Sequence, residues 1–172
     1  MPPAEPGRKV GEVGFAMMKK GDRIEAYIRS LGLEGEYDPC YLAYFACFND
    51  QEYYEAHDVL EHLWLREKDH YHAFYKGLIQ LAGAFVHLKK QYLRPWHPKD
   101  AGRMRPAVRL FALAVKNIRP YAPECQGLDI GGVVALADGT VDRIVASDYS
   151  VNPWNPSAAP SLHLGGRPSS FA

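Results

Sequence analysis

Three long stretches of the chain repeat their apolar residues every three or four positions, which is the spacing of one face of an α-helix. They lie near residues 50–67, 71–92 and 103–119. The second stretch is apolar around most of its circumference, which is typical of a helix at the centre of a bundle. Only a short polar loop joins the first two. The pattern therefore predicts an all-α fold, a small helical bundle around an antiparallel central helix pair.

The start of the first long helix is predicted at Asn49. An asparagine there can accept a hydrogen bond from a free backbone amide of the first turn. Glu52 follows three residues later and completes the pattern of a capping box. We therefore predict that Asn49 is the N-cap of this helix.

Small residues lie along one side of the second long helix, at Gly77, Gly83 and Ala84. A glycine inside a helix costs about 1 kcal/mol relative to alanine, which indicates that a neighbouring helix approaches closely here. The sequence predicts that this neighbour is the first long helix. Gln80 and His87 would then flank the contact.

The remaining elements are shorter. Residues 22–31 and 39–48 are predicted helices, and the prolines of residues 93–100 predict a loop. Residues 1–148 are interpreted as a single helical domain. Residues 149–172 are rich in proline and predict an extended C-terminal arm, draped over the bundle or over a neighbouring subunit. Its anchors would be Trp154, Leu162 and Phe171.

The charges are balanced, with 20 basic and 20 acidic side chains. A neutral sum gives no support for binding to nucleic acid or to a membrane surface, and it favours self-association, so a homo-oligomer is expected. Cys40, Cys47 and Cys125 match neither a zinc spacing nor a disulfide framework, which indicates the reducing cytoplasm. The N-terminus has no signal-peptide pattern. Basic residues cluster around the predicted loop and are interpreted as a solvated face: Lys89, Lys90, Arg94, Lys99, Arg103, Arg105 and Arg109.

The candidate chemistry is a cluster of polar residues on the two central helices, namely Glu55, His57, Asp58, Glu61, Gln80 and His87. Imidazole and carboxylate groups on facing helices of a bundle are common metal ligands. The favoured interpretation is structural: a buried His57–Glu61 hydrogen bond fixes the helix register, while Glu55, Asp58 and His62 lie on a solvated face. The alternative is a divalent-metal site with His57, Glu61 and His87 as ligands.

The motif Glu55-Ala56-His57-Asp58, followed by Leu60-Glu61 and Trp64, resembles the signature of the domain of unknown function family 309. The stretch from Gly77 to Gln80 that leads to His87 resembles it too. The family's motif usually has glutamate at the position of Asp58. The resemblance covers about residues 44–123 and implies a small all-helical fold with no established activity or cofactor. It also favours helix for residues 128–136 and 141–146, with Asp138-Gly139 as a turn between them.

Two function classes follow from the sequence. The first is a structural or interaction module, favoured because no complete catalytic set is visible. The second is a divalent-metal-binding protein, which would include a metal-dependent hydrolase. Whether the protein is an enzyme stays open between them.

Overall fold

The computed structural model describes residues 18–68 and 70–165. Six α-helices lie in this part of the chain, together with a 3-10 turn at Arg119–Tyr121 and a two-stranded antiparallel hairpin. The helices are α1 Lys20–Ser30, α2 Pro39–Asn49, α3 Tyr53–Arg66, α4 His72–Leu93, α5 Met104–Ile118 and α6 Ile130–Ala146. The strands are β1 Glu124–Cys125 and β2 Leu128–Asp129. The predicted all-α class is confirmed.

Helix α4 is the centre of the bundle. It packs against α3 on one side and most extensively against α5 on the other. Helix α2 lies on α3, and α6 lies on α5. Side chains that are completely buried, such as Phe74, Leu78 and Phe85, run along α4. The central position follows from the apolar circumference of this helix, because each of its faces must be covered.

Gly77 and Gly83 of α4 face α5, so the prediction that these glycines face the first long helix is wrong. A Cβ atom on Gly77 would lie 2.5 Å from Cγ1 of Ile118 and 3.1 Å from the carbonyl oxygen of Ala114. A Cβ atom on Gly83 would lie 3.3 Å from Leu110. The glycines therefore permit the close α4–α5 contact.

The predicted N-cap at Asn49 is also wrong. Asn49 is the last residue of α2, and Glu52 stands before α3 without a side-chain capping bond. Between them Gln51 adopts a positive φ of 63°, which turns the chain sharply. The Asn49 side chain instead bonds to the backbone of Leu162. A bond to a distant segment replaces the predicted local bond.

The described part of the C-terminal arm, residues 149–165, lies on the bundle of its own chain. Trp154 is buried, and its Nε1 donates a hydrogen bond of 2.9 Å to the Tyr53 hydroxyl. The Nδ2 of Asn152 donates to the carbonyl oxygen of Leu88 at 2.8 Å. Leu162 is buried as well. The third predicted anchor, Phe171, lies outside the described residues.

Residues 130–146 form one continuous helix, so the predicted turn at Asp138-Gly139 is wrong. Asp129 caps this helix by accepting a 3.0 Å hydrogen bond from the backbone amide of Gly132. The buried positions Val133, Ala137, Thr140 and Ile144 keep a helical spacing through the supposed turn. Packing of that face holds the helix together across a glycine that is unfavourable locally.

Candidate functional site

Three potential ligand groups meet on one edge of α3. The Nδ1 atom of His57 lies 3.2 Å from an oxygen of Asp58 and 3.5 Å from an oxygen of Glu61. One ligand atom of each residue lies within 4.8 Å of the others, and all three residues are half-buried. His57 and Glu61 are one helical turn apart and share an edge. The neighbouring Asp58 completes the group, which we call the α3 cluster.

The α3 cluster already has a cationic neighbour. The Nζ atom of Lys20, in the first turn of α1, lies 3.8 Å from Asp58 and 3.9 Å from Glu61. The Lys20 side chain is 61% exposed, so water screens these ion pairs. Lys20 is therefore a weakly held counter-ion.

A second polar network lies at the junction of α4 and α5. The Nη1 of Arg103 lies 3.1 Å from Nδ1 of His87, and its Nε donates to Asp100. Asp100 is fully buried, and Nη2 of Arg94 lies 2.7 Å from its other carboxylate oxygen. The backbone amide of Arg103 donates to Gln91. Arg103 is thus fixed from several sides.

The charges of this network have opposite effects on its two titratable groups. Burial, and then the positive charges of Arg103, Lys90 and Arg109, lower the pKa of His87 below its usual value of 6.5. Burial raises the pKa of Asp100, but the hydrogen bonds and charges of Arg103 and Arg94 outweigh this effect and leave it below its usual value. At neutral pH His87 is therefore neutral and Asp100 is ionised.

The α3 cluster and His87 line the same cavity, which has a volume of about 440 Å³. Lys20, Lys90 and Arg103 also line it. Ligand-binding cavities usually measure about 300–1,000 Å³. The fold thus brings together His57, Asp58, Glu61 and His87 of the predicted polar cluster.

Gln80 and Glu55 do not line this cavity. Gln80 accepts a 2.7 Å hydrogen bond from Nδ2 of Asn117 on α5. Glu55 is exposed and lines a neighbouring groove with Tyr27. His62 was expected on a solvated face, but α1 covers most of its side chain. Its Nε2 atom lies 3.3 Å from a carboxylate oxygen of Glu25. Asp58, expected there too, is half-buried in the α3 cluster.

Lys20 and Asp100 are site residues that the sequence interpretation missed. Lys20 precedes the cluster by almost forty positions, and only the packing of α1 on α3 brings it close. Asp100 follows a Pro-rich segment that is typical of a surface loop, yet its side chain is inaccessible to solvent. The clustering of Lys90 and Arg103 among other basic residues is the available signal, but such a cluster is also typical of a solvated face.

Residues 41–96 match the model of a family described as a domain of unknown function, DUF309. This is the family that the motif around His57 resembles. The matched segment includes all of α3 and α4 and therefore His57, Asp58, Glu61 and His87, whereas Lys20 and Arg103 lie outside it. The comparisons with curated proteins and with solved structures found no match. The family description assigns no activity.

Among the described residues, no helix combines the length and the hydropathy that a membrane span requires.

Proposed function

We propose that this protein binds one divalent cation, Mn²⁺ or Zn²⁺, through Nδ1 of His57 and the carboxylates of Asp58 and Glu61. The observation that carries this proposal is the convergence of one imidazole and two carboxylates, with ligand atoms within 4.8 Å of one another, at the wall of a cavity. A mixed set of nitrogen and oxygen ligands suits these two ions.

The separation of the ligand atoms is compatible with one ion. Atoms on opposite sides of an ion with bonds of about 2.1 Å are about 4.2 Å apart. The α3 cluster needs only small side-chain rotations to reach that value from its present limit of 4.8 Å. Three protein ligands leave positions open for water, which is the arrangement a metal-dependent hydrolase uses.

His87 is not a ligand in this proposal, although the sequence suggested it. Its Nδ1 faces the guanidinium group of Arg103, which can only donate, so the proton of the neutral ring lies on Nε2. A ring nitrogen that carries a proton cannot bind a metal. The positive charge of Arg103 also opposes a cation at this position.

Titration calorimetry with Mn²⁺ and Zn²⁺ on protein purified without a histidine tag tests the proposal. We expect one ion per chain, with binding at least tenfold weaker in His57→Ala and in Glu61→Gln. His163→Ala and Asp142→Asn, which change exposed residues of the arm and of α6, are the matched controls. Unchanged affinity in His57→Ala, with an unchanged melting temperature, would exclude the proposed site.

A purely structural role is the second candidate, because Lys20 already partners both carboxylates of the α3 cluster. The cluster would then hold α1 on α3. In that case no variant changes metal binding, and Glu61→Gln increases amide hydrogen exchange in α1. The two readouts separate the candidates.

A further inference from the structure

The cavity beside the α3 cluster carries more positive than negative side chains. Lys20, Lys90 and Arg103 line it together with the carboxylates of Asp58 and Glu61. These charges leave a surplus of one positive charge, and a bound divalent cation would raise the surplus to three. A cavity with that surplus attracts a small anion with more than one negative charge.

Arg103 is held in place before any ligand arrives. Its Nε donates to a carboxylate that is itself fully buried, and its Nη1 contacts His87. The Arg103 side chain is only 21% exposed. A guanidinium group held in this way loses little side-chain entropy when it binds an anion, and its remaining N–H groups match the oxygens of a phosphate.

His87 and Lys90 add two further donors to this wall. Because Arg103 donates to Nδ1, the neutral ring of His87 carries its proton on Nε2, and this N–H group is a hydrogen-bond donor. The Nζ atom of Lys90 lies 5.2 Å from the centre of the Tyr54 ring, a cation–π contact that restrains the lysine at the edge of the cavity. We call Lys90, Arg103 and His87 the basic wall.

We propose that the basic wall binds the phosphate group of a small phosphorylated ligand, next to the cation held by the α3 cluster. The inference rests on the proposed function, because the cation supplies most of the charge that a phosphate dianion would neutralise. A single carboxylate would satisfy fewer of the donors and only one positive charge. In the proposed complex, phosphate oxygens accept from Arg103, His87 and Lys90, which line the same cavity as the α3 cluster, and another oxygen contacts the cation.

The two sites should strengthen one another. A cation near the phosphate favours the anion electrostatically, and by thermodynamic linkage the anion must favour the cation by the same factor. We expect saturating Mn²⁺ to tighten phosphate binding at least tenfold, and saturating phosphate to tighten Mn²⁺ binding equally.

The test is titration calorimetry of the full chain with inorganic phosphate, and in a second arm with glycerol 3-phosphate, each with and without Mn²⁺. Lys90→Met should weaken phosphate binding about tenfold and leave Mn²⁺ binding intact or slightly tighter. Arg103→Lys keeps the positive charge beside Asp100 but loses the fork of donors, and it should weaken phosphate binding as well. The matched control is Lys116→Met, which removes the same charge from an exposed position on α5. Tighter binding of glycerol 3-phosphate than of inorganic phosphate would identify a phosphate ester as the ligand.

Failure of the two proposals can be told apart. If phosphate binds and Lys90→Met weakens that binding, while Mn²⁺ does not bind through His57, the phosphate site stands and the metal site falls. If Mn²⁺ binds through His57 but phosphate does not bind, or binds equally to wild type, Lys90→Met and Lys116→Met, the basic wall is not a phosphate site.

Discussion

Asn49 and Leu162 are joined by two reciprocal hydrogen bonds. The Nδ2 of Asn49 donates to the carbonyl oxygen of Leu162 at 2.8 Å, and the amide of Leu162 donates to Oδ1 of Asn49 at 2.7 Å. Gln51, two residues after Asn49, donates to the carbonyl oxygen of Pro156. The C-terminal arm is therefore tied to the turn that leads into α3, the helix with the candidate metal ligands.

Replacing Asn49 with alanine should lower the free energy of unfolding by about 1–3 kcal/mol, because two bonds to the arm are lost and their partners are left unsatisfied. Asn49→Asp keeps the acceptor but loses the donor. Its free energy of unfolding should lie between those of the alanine variant and wild type. Urea denaturation measures both values. If Asn49→Ala is as stable as wild type, the reciprocal bonds do not hold the arm.

Trp154→Ala should lower the free energy of unfolding by about 3–5 kcal/mol, which is the usual effect of removing a large buried aromatic side chain. The indole packs against the rings of Tyr53 and Tyr92 and is almost completely buried. Trp96→Ala is the matched control, since Trp96 is 75% exposed and should change stability little. If Trp154→Ala and Trp96→Ala lose similar amounts of stability, the arm is not docked on the bundle through Trp154.

Gly77→Ala should destabilise the protein by about 1–3 kcal/mol through overpacking. Its Cβ atom would meet Ile118 and the backbone of Ala114, so the α4–α5 contact must open. Gly139→Ala in α6 is the control, because no atom beyond its chain neighbours and the adjacent backbone of its own helix lies within 4 Å of its Cβ position. That variant should instead gain up to about 1 kcal/mol from the higher helix propensity of alanine. Thermal and chemical unfolding should therefore show a lower stability for Gly77→Ala and a slightly higher stability for Gly139→Ala than for wild type.

Lys20→Met should tighten Mn²⁺ binding about threefold, because a cation that competes for Asp58 and Glu61 is removed. The effect is modest since Lys20 is largely exposed. Lys19→Met removes the same charge one residue earlier and should have a smaller effect. Weaker binding in Lys20→Met than in Lys19→Met would indicate that Lys20 supports the ion rather than competes with it.

Stability should fall as the pH drops below about 6.5, partly because of His87. Burial and the cations around it lower the pKa of His87 in the folded state, so the unfolded chain binds a proton more readily. The contribution of His87 to stability is present above the pKa of this residue in the unfolded chain, and it is lost as the pH falls below that value. Denaturation at pH 7.5 and 5.5 should show a smaller loss for His87→Gln than for wild type. His163→Gln, an exposed control, should behave as wild type does.

The periodicity of apolar residues was sufficient to predict the long helices and their bundle. The predicted ranges 50–67, 71–92 and 103–119 correspond closely to Tyr53–Arg66, His72–Leu93 and Met104–Ile118. Helical periodicity is a local property, since residues three or four apart share a face whatever the neighbours are. For the same reason the sequence placed His57 and Glu61 on one edge of a helix, and it identified α4 as central.

The groups that lie across from that edge, in contrast, are known only from the packing of the helices. The sequence showed that Gly77 and Gly83 permit a close contact but not that α5 makes it. It likewise could not show that Asn49 bonds to the arm, that Arg103 fixes His87, or that Lys20 reaches Asp58. Each of these contacts joins residues more than a dozen positions apart, and its partner depends on how whole helices pack. Packing between helices, unlike periodicity along one helix, is set by the entire chain at once.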